Sequence, residues 1–217
     1  MLSSILKGDI ERRTITQIYG PPGVGKTNLC IIASINYIKK GYKVVYIDTE
    51  GGLSIERVKQ LSENVNGVNL TKKVLENLII YEPDSFENQY KVIERLMNVE
   101  KLGLVVVDGI SSLYRLELSD NINENAKLNR LLGKQILTLL NLSKKKNVGV
   151  IITNQVSDTS YGFKATGGKL LEYWSKTIFR VEKIGKVRKL ILEKHRHCPE
   201  GLEVKFKILK NELKEIS

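Results

Sequence analysis

The sequence predicts an α/β fold: a mostly parallel, twisted sheet flanked by helices, with an antiparallel hairpin at its C-terminal edge. Three observations lead there. Five apolar runs rich in β-branched residues are continuous rather than alternating, as strands covered on both faces require. Segments of helical length and period separate these runs. After Thr153 the strand–helix alternation gives way to consecutive strand-like runs.

In order, "TITQIY" (14–19) is followed by a helical stretch over 27–40, and "KVVYID" (43–48) by one over 54–62. "NLIIYE" (77–82) precedes a helix over 85–100, "GLVVVD" (103–108) precedes one over 124–145, and "VGVIIT" (148–153) closes the parallel set. The runs "SKTIFRVEKI" and "KVRKLILEKH", joined through Ile184, Gly185 and Lys186, read as a β-hairpin. "LEVKFKIL" (202–209) alternates like one more strand beside it.

With 217 residues, 41% hydrophobic and 27% charged, the chain reads as a single domain spanning 1–217, large enough to bury a core. Its apolar runs are too short to cross a bilayer and its start lacks a cleavable leader, so a cytoplasmic location without a membrane partner is expected. Cys30 and Cys198 lie far apart and form no CxxC pair, which argues for two reduced thiols rather than a disulfide framework or a zinc site. A net charge of +11 favours a polyanionic partner, because Lys and Arg that neutralise phosphates release counterions. Much of the excess lies in "KKGYK", "LSKKKNV" and "KIGKVRKLILEKHRH"; a solvated basic surface is the plain alternative for each.

Residues Gly20, Pro21, Pro22, Gly23, Val24, Gly25, Lys26 and Thr27 satisfy G-x-x-x-x-G-K-[ST] between a strand and a helix. The glycines let successive N–H groups curl inward around phosphate oxygens, and the helix N-terminus adds its partial positive charge. In such a loop Lys26 reaches the β- and γ-phosphates and the Thr27 hydroxyl ligates Mg²⁺. Asn28 continues the binding segment. The implied cofactors are ATP and Mg²⁺, with Asp108, at the end of an apolar strand, as the partner carboxylate for the metal. Hydrolysis also needs a group that orients water. "YIDTEGG" offers Glu50 for that task; a cluster of Asp48, Thr49 and Ser54 capping the next helix is the competing reading of the segment.

"YIDTEGGLSIERV", "VVVDGISSLYR" and "VIITNQV" resemble successive motifs of the RecA/RadA recombinase superfamily. The opening "ILKGDIERRTITQIYGPPGVGKTN" and the segment "EKHRHCPEG" are most similar to the archaeal RadB proteins, short paralogues of RadA with a role in recombinational repair. The resemblance spans nearly the whole chain and implies a RecA-like P-loop ATPase core. It assigns Glu50 to water activation, Gln155 to sensing the γ-phosphate, and Arg57 to packing its guanidinium on adenine, a cation–π arrangement. Lys194 and Arg196 match basic residues that reach a neighbouring subunit's γ-phosphate. Residues 114–126 and 157–166 match the DNA-binding loops, with Arg115, Tyr161, Phe163 and Lys164 as their contact candidates. Basic residues are scarce in both loops, which favours the C-terminal third as the DNA surface. His195, His197 and Cys198 would alternate faces on a strand and lack a fourth metal ligand.

In the larger recombinases a helical DNA-binding domain and a polymerisation motif precede the core; here the core begins within the first few residues, so neither is expected. The resemblance therefore implies an accessory protein of homologous recombination and DNA repair with weak ATP hydrolysis and no strand exchange. Its expected partners are single-stranded DNA without strong sequence preference, a RadA-type recombinase or other repair protein, and further copies of itself. Alternative readings are a KaiC-like signalling ATPase or autokinase, and a non-hydrolysing adaptor stabilised by its nucleotide.

Overall fold

A computed structural model describes residues 10–65, 67–159, 162–165 and 168–216. Nine strands form one sheet in the order β11-β10-β9-β8-β1-β5-β4-β2-β3. The strands are β1 (Ile15–Tyr19), β2 (Lys43–Asp48), β3 (Leu78–Tyr81), β4 (Leu102–Asp108), β5 (Gly149–Asn154), β8 (Thr177–Ile184), β9 (Val187–Lys194), β10 (Glu203–Ile208) and β11 (Leu213–Ile216). From β3 through β8 neighbours run parallel; β9, β10 and β11 are antiparallel additions. A separate two-stranded hairpin pairs β6 (Val156–Thr159) with β7 (Gly162–Ala165).

The continuous apolar runs are explained by burial on both faces. Val44 and Tyr46 of β2 face a core built around helix α1 (Lys26–Lys39), with Leu29, Ile35 and Ile38. Val45 and Ile47 face the opposite core, formed with helices α4 (Phe86–Arg95) and α6 (Ile122–Lys146) through Phe86, Ile93, Ile136 and Leu139. Successive residues point to opposite faces, so a strand sandwiched by helices must be apolar throughout. Helix α2 (Ile55–Ser62) begins at Ser54, whose hydroxyl accepts the Arg57 amide at 3.3 Å. Helix α6 ends on Asn147 at φ +55°, a left-handed cap that Asn tolerates.

Several elements differ from the expected boundaries. The stretch expected as a helix to residue 100 leaves the α conformation after Arg95 and tightens into a 3₁₀ turn over Leu96–Asn98. Helix α3 (Thr71–Asn77) buries only Val74, too little for a readable apolar stripe. Tyr114 and Arg115, assigned to the first loop, lie in helix α5 (Ser112–Leu116), and the second loop contains the β6–β7 hairpin. Strand β11 extends the C-terminal sheet beyond the strand anticipated over 202–209. The last helix of the described chain is α7 (Gly168–Trp174).

Two features of topology shape the site. Strand β1 ends at Tyr19, beside Arg180 of β8, whereas β8 continues to Ile184. The β8–β9 hairpin turns through Gly185, at φ +59°, and Lys186, and so stands past the end of β1, along the glycine-rich turn.

Candidate functional site

Residues 20–25 link β1 to α1. Gly25, at φ +103°, is the N-cap of α1 and supplies no side-chain acceptor, so the first-turn N–H groups remain directed outward from the helix. Lys26 is buried, and its Nζ donates to the carbonyls of Gly20 at 2.9 Å and Pro21 at 3.0 Å. Burial lowers its pKa below the ordinary lysine value, opposed by the fields of Glu50 and Asp108.

Asp48 and Asp108 end adjacent strands in register, yet they do different work. Asp48 accepts the backbone N–H of Glu50 at 3.1 Å and of Leu53 at 2.8 Å, folding the segment after β2. Asp108 instead gathers side-chain hydroxyls. Its Oδ2 accepts from Thr27 Oγ1 and Tyr46 Oη, both at 2.7 Å, and its Oδ1 accepts from Thr153 Oγ1. Tyr46 and Thr153 escaped the sequence reading because each looks like an ordinary strand residue; cross-strand register alone aims them at Asp108.

The residues of "YIDTEGG" and the following Ser54 divide between the backbone and the cleft. Asp48, Thr49 and Ser54 stabilise the backbone, Thr49 Oγ1 by donating to the carbonyls of Asp108 at 3.0 Å and Gly109 at 2.7 Å. Glu50 is left to face the cleft. Its Oε1 accepts from Ser112 Oγ and from Gln155 Nε2, the latter at 3.1 Å. Ser112 was also missed; its position four residues after Asp108 is the only signal available.

A cleft of about 380 Å³ is lined by Gly23, Lys26, Thr27, Glu50, Asp108 and Gln155 among others. The sheet's antiparallel extension supplies its far wall through Arg188 and Ile208. A Cβ added to Gly25 would lie 2.6 Å from Ile208 Cδ1, so this wall sits directly on the turn. Outward N–H groups, a lysine, and a hydroxyl joined to a carboxylate are a donor set that fits polyphosphate with a divalent cation.

Comparison with known proteins agrees with this geometry. The family described as Rad51 matches residues 1–216. The chain belongs to the Rad51 family. Its similar relatives include the DNA repair and recombination protein RadB of Methanococcus maripaludis, 58% identical over 217 residues and covering 100% of this chain and 99% of the relative. The protein of the same description from Methanocaldococcus jannaschii is 56% identical over 211 residues, 96% of each chain. A solved structure, "Crystal structure of the RadB recombinase", superposes with a TM-score of 0.83 at 35% identity, covering 100% of this chain and 96% of that one. Within the Rad51 family the chain therefore stands among the RadB proteins of archaea.

The remaining candidates sit on other parts of the fold. Arg57 makes four hydrogen bonds through its guanidinium edge: Nε donates to Asn28 Oδ1 at 2.7 Å, Nη2 to the Leu209 carbonyl at 2.9 Å, and Nη1 to Gln60 and the Lys210 carbonyl. The arginine is thus clamped to the turn after β10, leaving stacking on a face as its route to a ring. Arg115, on α5, has its Nε buried without a hydrogen-bond partner. Phe163 and Lys164 belong to strand β7, while Tyr161 lies outside the described residues.

Lys194 pairs with Ile178, which stands beside Gln17 of β1, well back from the glycine-rich end of the sheet. Its Nζ donates to the Glu172 carbonyl at 2.8 Å, and Arg196 faces Glu11 at 3.8 Å. His195 Nδ1 accepts the backbone N–H groups of His197 at 3.0 Å and Cys198 at 3.1 Å, so the histidine braces its own turn. Among the described residues no His, Cys, Asp and Glu cluster could hold a metal ion, and no helix is long and apolar enough to cross a membrane.

Proposed function

We propose that the chain is an ATP- and DNA-binding accessory protein of homologous recombination and DNA repair, with slow ATP hydrolysis and no strand exchange of its own. The observation that carries this reading is the convergence of Lys26, Thr27, Asp108, Glu50 and Gln155 on one cleft, in a fold of the Rad51 family. The names of its relatives supply the biological setting.

In this mechanism the N–H groups of Gly23, Val24 and Gly25 and of the first turn of α1 cradle the phosphates. Lys26 leaves the carbonyls of Gly20 and Pro21 for the β- and γ-phosphates. Thr27 and Asp108, whose side chains are joined by a hydrogen bond, would hold Mg²⁺, and the ion would supply positive charge beside the phosphate oxygens. Glu50 orients the attacking water. Its Oε1 already holds Ser112 and Gln155, so Oε2 is the atom left for the water. Gln155 thereby links the catalytic carboxylate to the β6–β7 hairpin that follows it. Adenine packs on a face of Arg57, and Lys194 and Arg196 serve a neighbouring copy rather than their own cleft.

The DNA half of the proposal draws on the C-terminal sheet. Lys205 and Lys207 are exposed on β10, while the alternating Val204 and Phe206 are buried. Lys207 stands directly opposite exposed Lys214 of β11. Like charges in direct cross-strand opposition are unfavourable, and a phosphate backbone would relieve them. The loop before α6 instead carries Glu117 and Asp120 beside exposed Leu116 and Ile122, a surface better suited to a protein partner such as a RadA-type recombinase.

ATPase assays with and without single-stranded DNA, on wild type, Lys26→Ala and Glu50→Gln, test the nucleotide site. Turnover unchanged in both variants would remove it. Titration with single-stranded DNA at two salt concentrations should show steep loss of affinity at the higher one, reduced in slope by Lys207→Gln. Absence of binding at low salt would end the DNA reading.

A further inference from the structure

We propose that Arg188 is a phosphate-contacting residue of the nucleotide site, brought to it within the same chain by the β8–β9 hairpin. This rests on the reading of the cleft as an ATP site, and extends it to a residue outside every motif of the phosphate-binding turn.

The placement follows from register. Arg188 is paired with Lys183 of β8, three residues beyond Arg180, which is itself level with Tyr19 at the end of β1. On its other side Arg188 is paired with Phe206, two residues before Ile208. Directly opposed residues share a face, and so do residues two apart on a strand. Arg188 and Ile208 therefore project together toward α1 and the turn, and both line the cleft with Gly23, Gly25, Lys26 and Thr27.

The guanidinium is incompletely satisfied where it stands. One nitrogen, Nη1, donates to the Lys186 carbonyl at 2.9 Å; Nε is buried with no hydrogen-bond partner. Among the described residues no carboxylate pairs with Arg188, although Glu50 and Asp108 line the same cleft. Lys26 and Arg188 on one side and Glu50 and Asp108 on the other leave the cleft near electrical balance. A triphosphate retains net negative charge after binding a divalent cation, and a planar fork of donors suits its oxygens. Arg188 supplies both the second cation and the unused donors.

Fluorescent ATP and ADP analogues, titrated with Mg²⁺ against wild type, Arg188→Gln, Arg188→Lys and Lys26→Ala, test this, with urea unfolding of each variant in parallel. Arg188→Gln is expected to weaken triphosphate binding by about 10- to 100-fold, the range for loss of a charge-assisted hydrogen bond. Arg188→Lys, which keeps the charge and loses the fork, should fall between it and wild type. A loss shared by ATP and ADP places the contact on the α- or β-phosphate, and a loss confined to ATP places it on the γ-phosphate. Wild-type affinity in folded Arg188→Gln and Arg188→Lys, with Lys26→Ala impaired, would overturn the assignment and leave the ATP site standing. Failure of wild type to bind either nucleotide would remove both.

Discussion

Gly20→Ala should be more damaging to folding than its place in a phosphate-binding motif suggests. A Cβ on residue 20 would lie 2.3 Å from the carbonyl oxygen of Val181, whereas real contacts of this kind stay beyond 3.0 Å. The difference, 3.0 − 2.3 = 0.7 Å, is the least distance by which turn and strand must separate. Val181 cannot swing aside as a side chain could. Its strand is held to β1 through Arg180 and Tyr19, and to β9 through Val181 and Leu190. Forcing extra volume into such packing costs about 1–3 kcal/mol, and holding an L residue at a sparsely populated φ adds roughly 1–3 kcal/mol. Gly20 sits at φ +156°, so the sum is about 2–6 kcal/mol. Gly23→Ala is the control, because Gly23 has φ +70° and nothing within 4 Å of an added Cβ. It should cost only the left-handed penalty, about 1–2 kcal/mol. Urea unfolding followed by far-UV circular dichroism separates the two. With a slope of about 2–3 kcal/mol/M, a 4 kcal/mol loss moves the midpoint by roughly 1–2 M. If Gly20→Ala unfolds no earlier than Gly23→Ala, then the C-terminal hairpin does not bear on the turn as described.

Other consequences follow from the same geometry. Tyr46→Phe removes one of three hydroxyls held by the Asp108 carboxylate and should lower stability by about 1–3 kcal/mol in urea; an unchanged midpoint would show that the bond contributes nothing. ATP affinity should fall as pH rises through the lowered pKa of Lys26, in the window below the ordinary 10.5. Protein stability should rise with pH in that same window, because the unfolded chain there binds more protons at this lysine than the folded one. Lys26→Arg should abolish both trends, and an affinity profile identical in the two proteins would refute the role of Lys26 protonation. Burial raises the pKa of Cys30 well above that of an ordinary thiol, whereas Cys198 is half-buried. A maleimide should therefore label Cys198 in the native protein and Cys30 only on unfolding; prompt double labelling would contradict the packing of α1.

What could be read directly from the chain shares one property: it depends on near neighbours in sequence. The runs "VVYI" and "LVVV" are apolar at every position because both faces of their strands are buried, and that condition is written in consecutive residues. The phosphate-binding turn is likewise local, since its N–H groups and Lys26 are fixed by a few adjacent dihedrals. Asp108 was recognisable as the last residue of an apolar strand, and Glu50 as an acidic residue two positions beyond another. Which acidic side chain around the end of β2 braces the backbone and which faces the cleft was visible only in the structure, where Asp48 holds the amides of Glu50 and Leu53 and Glu50 meets Ser112 and Gln155.

The rest belongs to register. Tyr46 and Thr153 meet Asp108 only because β2, β4 and β5 lie side by side, and a shift of one residue would turn those side chains to the opposite face. Arg57 meets the turn after β10 across 152 sequence positions. Arg188 reaches the cleft because β8 outruns β1. Amino-acid identity therefore determined which chemical groups the protein possesses and which segments must be buried. Tertiary structure decided which groups meet, since contacts between distant strands depend on pairing offsets that no local pattern of residues encodes.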